Sequence, residues 1–354
     1  MYDEFFPNGL PASPIEDIKG AGLPVFLYGM GNGAEKMMKV CEEYGIDVEG
    51  VFASDGFRAG KIFLGFTVMS LSEVAAKYTD GFIALVCFGC PSADMRAYLG
   101  RVKRAGGIVY MPHLPLFGGE LFTADHFKAN EDRIFKAYSL LRDGRSRALF
   151  KDILTYCLTW DAEVLFFGET NSFAYPAFFE GKEFKTAIDG GAYRGDTVLS
   201  MHECFPSINR FLAFEPDPAN YTKLSQVKIE KVQIESFQKG LHQAEGELRF
   251  AALKNRGSHF AEDGIKVPVT SIDSVTDEKI DLIKLDVEGC EREAIIGAEK
   301  TIKKNHPALC VSLYHKTDDI FELILQLHEI SPHYEFSVFR ADVCPAWDII
   351  LLAK

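Results

Sequence analysis

The 354-residue chain is poor in positive charge: 38 Lys and Arg stand against 51 Asp and Glu, for a formal net charge of −13. It has no dense Lys/Arg tract, so it lacks the clustered cations that give affinity for a phosphate backbone, and no nucleic-acid partner is expected. Long apolar runs are also missing. Stretches such as Phe82 to Phe88 fall far short of the ~20 residues needed to cross a bilayer, so no membrane partner is expected either. The opening MYDEFFPNGL has neither the basic n-region nor the apolar core of a secretory leader, and a cytoplasmic location is the expectation. The eight cysteines are scattered at 41, 87, 90, 157, 204, 290, 310 and 344. In such a chain they read as reduced thiols. Cys87 and Cys90 make one CxxC, and no second pair follows at zinc-ribbon spacing. That pair is either a redox motif after a strand or simply two small residues where a strand meets a loop. Solenoid repeats and low-complexity tracts are absent.

What is present is an ordinary globular composition, 47% hydrophobic and 25% charged, and a βα alternation that starts twice. Residues 24–33, PVFLYGMGNG, give a strand and a glycine turn, and 34–44 have helical spacing. Val48 to Ala53, Phe82 to Phe88 and Ile108 to Met111 follow as strands. Residues 1–118 thus read as a Rossmann-like domain. Residues 119–180 read as a helical linker or lid, with two amphipathic helices broken at Asp143-Gly144 and an aromatic segment containing Phe166, Phe167, Phe173, Tyr175, Phe178 and Phe179. From 181 the alternation restarts. Strands are expected at 185–188, 211–214, 232–236, 247–252, 266–270, 281–285, 308–313, 335–339 and 347–352, with helices at 217–227, 290–304 and 318–330. The expected class is α/β, with two Rossmann-like doubly wound sheets joined by a helical segment.

The densest pattern lies in residues 187–218. A short strand ends in Asp189, the turn Gly190-Gly191-Ala192-Tyr193-Arg194-Gly195 follows, and a second strand, Phe211 to Phe214, ends in Glu215. Glycines let the backbone approach a ligand, a helix N-terminus faces its anionic part, and an acid about 20 residues on takes the ribose hydroxyls. That is the signature of a site for an adenosine-containing ligand. A similar but lone match opens the chain. Gly29, Gly31 and Gly33 form a GxGxxA turn with Ala34, and Asp55 ends the next strand. It reads either as a second nucleotide site for NAD(P) or a nucleotide sugar, or as a domain that has kept the fold without the ligand.

Residues 181–354 resemble the FkbM family of S-adenosylmethionine-dependent methyltransferases. The pieces occur in order: IDGGAYRGDT, FEPDPANYTKL, KGLH, VPVTSID, IDLIKLDVEGCEREAIIGA and SLYHK. SLLRDGRSRALFKDILTYCLTWD and WDIILLA also look like a subgroup with an extra N-terminal domain. The resemblance implies a class I methyltransferase sheet, S-adenosyl-L-methionine as cofactor, and methylation of an oxygen on a small molecule or glycan. Tyr193 departs from the general class I turn, which has a glycine there, and His242 stands where a tryptophan often follows the Gly-Leu pair. The cofactor's chemistry then assigns Gly191, Tyr193 and Gly195 to backbone approach. Asp196 and Thr197 fall at the helix N-terminus near the carboxylate. Asp189 either orders the turn or meets the ammonium, Glu215 takes the ribose, and the run from Gln238 through Gly240 to Leu241 lies along the adenine.

Asp286 and Glu288 sit at i and i+2 at a strand end, where doubly wound folds place ligands. Asp286 and His315 are the expected catalytic residues, the latter as a neutral imidazole able to take a proton. Glu288 either joins them or caps the helix near Cys290. No metal is assigned, although Asp286, Glu288 and His315 together have the chemistry of a divalent-ion site. Two other readings remain: an oxidoreductase or nucleotide-sugar enzyme run by the first domain, and a non-catalytic binding module. A homo-oligomer is compatible with all of them.

Overall fold

The computed structural model describes residues 5–57, 60–117, 120–166, 177–251, 259–260 and 264–354. At residues 251, 259 and 260 it describes backbone only. Two parallel sheets lie in sequence order. The first is built from β1 (Val25–Tyr28), β2 (Val48–Ala53), β3 (Met69–Ser70), β4 (Phe82–Val86) and β5 (Gly107–Tyr110), in the order β3-β2-β1-β4-β5. All its neighbours run parallel. β1 and β4 are buried at every position, which explains why they read as unbroken apolar runs rather than alternating ones. Helix α1 (Asn32–Tyr44) begins in the glycine turn, and Gly45 ends it with φ of 65°, a left-handed cap that glycine adopts without steric cost.

The second sheet comprises β6 (Thr186–Gly190), β7 (Arg210–Phe214), β8 (Gln233–Phe237), β9 (Leu282–Leu285), β10 (Ala308–Ser312), β11 (Phe336–Arg340) and β12 (Ile349–Ala353). Its order is β8-β7-β6-β9-β10-β12-β11. The first five strands are parallel, and β12 runs antiparallel to both of its neighbours. Strand order reverses at β6, so the crevice beyond the carboxyl ends of β6 and β9 is the topological switch point where such sheets bind ligands. The expected long helix at 290–304 is two helices, Glu291–Ile296 and Glu299–Asn305. Gly297 packs against His242 O, only 2.1 Å from where a Cβ would sit, and the chain bends there.

The segment between the sheets is helical but is not a free lid. α2 (Glu131–Leu140) packs on the helix Asp319–Ile330, and α3 (Gly144–Thr159) packs on β11. Asp143 caps α3 by accepting from Ser146 N at 2.8 Å, and it also accepts from Ser337 Oγ at 2.9 Å. One apolar cluster runs from Phe26 and Phe82 through Phe150 and Ile153 to Phe336 and Leu351, so the helices join the two sheets into a shared core. Phe178 and Phe179 pack edge-on against Phe339, Phe184 and Phe205 in a separate cluster. They are core residues and do not face the switch-point crevice. Phe167, Phe173 and Tyr175 lie outside the described residues.

Candidate active site

β6 ends in Asp189 and Gly190, and the chain turns sharply because Gly191 (φ 75°) and Gly195 (φ 90°) adopt the left-handed region. A Cβ on Gly191 would lie 1.9 Å from Asp286 O, so the two strand ends touch backbone to backbone and only glycine fits. Asp189 is fully buried. It accepts from the Thr197 hydroxyl and pairs through Oδ1 with Lys284 Nζ at 3.2 Å. Lys284 Nζ also donates to Gly190 O at 3.3 Å and to Gly191 O at 3.0 Å. Asp189 therefore orders the turn from behind. Of the two roles open to it, the geometry supports this one.

Glu215 follows β7 directly. Its Oε2 accepts from Tyr193 N at 3.0 Å and its Oε1 from Asp217 N at 2.8 Å. Burial pushes its pKa up to about 8, against the pull of those two amides. The carboxylate borders a cavity of about 620 Å³ at the switch point, well inside the range of small-ligand sites. Gly191, Tyr193, Thr197, Glu215, Gly240 and Asp286 all line it. Of the remaining residues expected there, Asp189 lies behind the wall, Gly195 packs against Val227, and Asp196 starts the helix Asp196–Cys204. Gln238 is exposed, and Lys239 and Leu241 take the wall position expected for it. The reason is a short parallel pairing of Gly240–Leu241 with Val269–Thr270, which turns residues 239–241 toward the cavity.

The opposite wall differs from expectation in its chemistry. β9 ends at Leu285, so Asp286 and Glu288 reach the same cavity through a turn rather than through strand pleating. Asp286 Oδ1 accepts from Ser312 Oγ at 2.9 Å and Tyr314 OH at 3.1 Å, and Oδ2 lies 3.8 Å from Lys284 Nζ. Burial alone would raise its pKa, but Lys284, His315 and these hydroxyls outweigh it and hold it below the usual value. His315 is fully buried. Its Nδ1 faces Glu291 Oε1 at 2.9 Å, and its Nε2 lies 3.4 Å from Glu288 Oε2 and 3.6 Å from Asp286 Oδ1. Burial works against its charge, yet Glu291, Glu288 and Asp286 raise its pKa well above normal. The expected neutral imidazole is therefore a charged one, a donor at both nitrogens rather than a proton acceptor.

Glu288 does not cap the next helix. That helix has no side-chain cap; Glu291, its first residue, instead ties down the turn before it, Oε1 accepting from Val287 N at 2.8 Å and Oε2 from Gly289 N at 3.1 Å. Glu288 instead sits at φ 55° with its carboxylate on the cavity, its pKa raised by burial against the pull of His315. Tyr193 (φ 50°) and Asp348 (φ 58°) are also left-handed non-glycine residues lining this cavity. Such strain persists only where packing enforces it, and it concentrates at functional sites. Donor atoms of Asp286, Glu291 and His315 come within 4.8 Å of one another. Their bonds are those of an ion-paired network, with Glu291 spent on two amides and the imidazole charged. Sequence reasoning missed Glu291, Tyr314 and Trp347. Glu291 gave no capping signal, because it is the first residue of its helix and its partners lie in the turn before it. Trp347 had none, because it reaches the cavity from the far edge of the sheet.

The first glycine turn is built otherwise. A Cβ on Gly29 would sit 2.8 Å from the Phe88 ring, and one on Gly33 would sit 2.3 Å from Cys87 O. Asp55 points away from the turn and accepts from Ser72 N at 3.1 Å and Ser72 Oγ at 3.2 Å at the start of the helix Leu71–Lys77. A cavity of about 600 Å³ lies between α1 and residues 114–116 and 120–123. Gly29, Gly31, Gly33 and Asp55 line neither this cavity nor the larger one. His259, whose residue type would also suit a base, lies where no side chain is described.

Seven strands in this order, the last antiparallel, around a crevice holding a glycine turn and two acids, make a doubly wound sheet with a ligand crevice at its switch point. Residues 189–338 match the family model for the methyltransferase FkbM domain, so the chain carries such a domain and is a methyltransferase. The crystal structure of methyltransferase FkbM from Methylobacillus flagellatus KT aligns over 98% of this chain and 94% of its own, with 20% identity and a TM-score of 0.75. The two-sheet fold, first domain included, is thus shared. A putative rRNA-methylase from Clostridium thermocellum aligns over 52% of this chain and 94% of its own (13% identity, TM-score 0.34). A TehB-like SAM-dependent methyltransferase from Corynebacterium glutamicum aligns over 57% and 97% (12% identity, TM-score 0.30). No curated protein sequence matches the chain.

Proposed function

We propose that this protein is an S-adenosylmethionine-dependent O-methyltransferase whose acceptor is a hydroxyl of a sugar, glycan or small metabolite, and that Glu288 takes the acceptor's proton. The observation that carries the reading is one cavity with Glu215 on one wall and Glu288 on the other. The residues fit the cofactor. Gly191 lines the cavity and, lacking a Cβ, lets the ends of β6 and β9 close up beside it, and the helix beginning at Asp196 offers amides to a carboxylate. Glu215, once ionised, accepts both ribose hydroxyls. When bound, the cofactor supplies an electrophilic methyl carbon on a positively charged sulfur.

The protein's part is then alignment and proton removal. Holding an acceptor oxygen in line supplies most of the acceleration, and a positioned base adds roughly 10²–10⁴-fold. Asp286 is a poor base because two hydroxyls and Lys284 already hold its carboxylate. His315 is a poor base because it is already charged. Glu288 has a raised pKa, lines the cavity, and is paired with the imidazolium at 3.4 Å. We assign residues 1–118 a scaffolding role, supported by Leu116 lining the cavity and by the donation of Leu116 N and Phe117 N to His315 O, each at 3.0 Å.

A methyl-transfer screen tests this, using cofactor labelled in the methyl group against glycans and hydroxylated metabolites. Label should appear in an acid- and base-stable ether on a hydroxyl. Label found on nitrogen or carbon instead would overturn the oxygen assignment.

A further inference from the structure

The CxxC at Cys87 and Cys90 is split by the fold. Cys87 is buried under the first sheet, its Sγ donating to Leu85 O at 3.1 Å, and burial drives its thiol far above the ordinary range. Cys90 turns to the other half of the molecule. Cys90–Pro91 pairs antiparallel with Val343–Cys344, and Cys90 stands directly opposite Cys344. Both enter the same apolar cluster, Cys344 buried and Cys90 half-exposed. Directly opposed residues in an antiparallel pair have Cα atoms roughly 4.5–5.5 Å apart, with their side chains on one face. A disulfide spans roughly 4.4–6.8 Å between Cα atoms.

We propose that Cys90 and Cys344 form a disulfide linking the two domains when the protein meets a small-molecule disulfide. The bridge would fix the cavity wall. Val343 and Trp347 line the cavity, and Gly89 packs under Trp347 so closely that a Cβ would lie 2.4 Å from its ring. The chemistry is two exchanges in sequence. The more exposed Cys90, as thiolate, attacks one sulfur of the reagent and releases a thiol. Cys344, as thiolate, then attacks the Cys90 sulfur and releases a second. Two electrons pass to the reagent, and the two protons lost by the cysteines end on the released thiols. Burial pushes the Cys90 thiol up to about 11 and raises that of Cys344 despite nearby Ser92 and Arg340. The reduced pair is therefore a slow-reacting latent crosslink rather than a catalytic redox centre.

The test is a thiol map of the native full chain after incubation with oxidised glutathione. Expected is one crosslinked peptide pair joining Cys90 to Cys344, with the other six of the eight cysteines still open to alkylation after unfolding. Cys90→Ser, at a half-exposed position, should abolish the crosslink and leave every remaining thiol alkylable. Glutathione retained on Cys90, a Cys87–Cys90 bridge, or eight alkylable thiols would each overturn the proposal. The map needs no methyl acceptor, so its outcome is independent of the methyl-transfer reading.

Discussion

The chain contains the same sequence device twice and uses it differently each time. In the second domain the acid follows its strand immediately, so Glu215 turns back and accepts from Tyr193 N inside the glycine turn. In the first domain Asp55 stands two residues beyond the end of β2 and reaches forward to Ser72. The space beside the turns differs too. Both Gly191 and Gly29 are tightly packed, but Gly191 lines the cavity together with Val287 and Glu288, whereas Gly29 lines neither cavity. Glycine spacing reports a tight strand-to-helix turn. Whether the turn holds a ligand depends on where the acid's carboxylate goes and what stands on the next strand end.

The comparison can be sharpened first at the opposite wall. On an acceptor found by the labelled screen, Glu288→Gln should lower turnover by about 10²–10⁴-fold while cofactor affinity, read by calorimetry, stays within about twofold. An equal loss in both would assign Glu288 to binding instead.

The next effect is on pH. Glu215 must be ionised to accept ribose hydroxyls, and its free pKa is about 8. Cofactor affinity should therefore fall about tenfold for each pH unit below 8 and level off above it. Calorimetric titrations between about pH 6 and 9 read this directly, and a flat profile contradicts it. The same group sets a stability trend. Its folded pKa is raised above the unfolded value, so the free protein's stability from this group is full below about pH 4.5 and declines as pH rises toward 8. Glu215→Gln should flatten that part of the denaturation profile.

The smallest effect belongs to the first domain. Asp55→Ala should cost about 0.5–1.5 kcal/mol of stability through the lost hydrogen bonds from Ser72, seen as a lower urea midpoint, with no change in cofactor affinity. Unperturbed NAD(P)H fluorescence on addition of the protein is expected for the same reason.

Much of this was legible in sequence. Buried strands such as Phe82–Val86 announce themselves as apolar runs, and the order of motifs from Asp189 to His315 pointed to the second sheet's crevice. Residues whose position depends on long-range contacts were not legible. β3 is two residues long and has no periodicity to read. The roles of Asp286, Glu288, Glu291 and His315 could not be divided from their spacing. The division depends on which carboxylate meets backbone amides, which meets hydroxyls and which meets the imidazole, and those are distances rather than patterns. The linker helices showed their apolar stripes, but what the stripes pack against, β11 and the helix Asp319–Ile330, lies about 180 residues further on.

The most direct measurement is a calorimetric titration of S-adenosylmethionine into the wild-type protein, Glu215→Ala and Asp55→Ala at about pH 9, above the Glu215 pKa. The account predicts one site per chain, unchanged by Asp55→Ala and weakened at least about tenfold by Glu215→Ala, which corresponds to one lost charge-assisted hydrogen bond. Equal binding to wild type and Glu215→Ala, or loss of binding with Asp55→Ala, would contradict it.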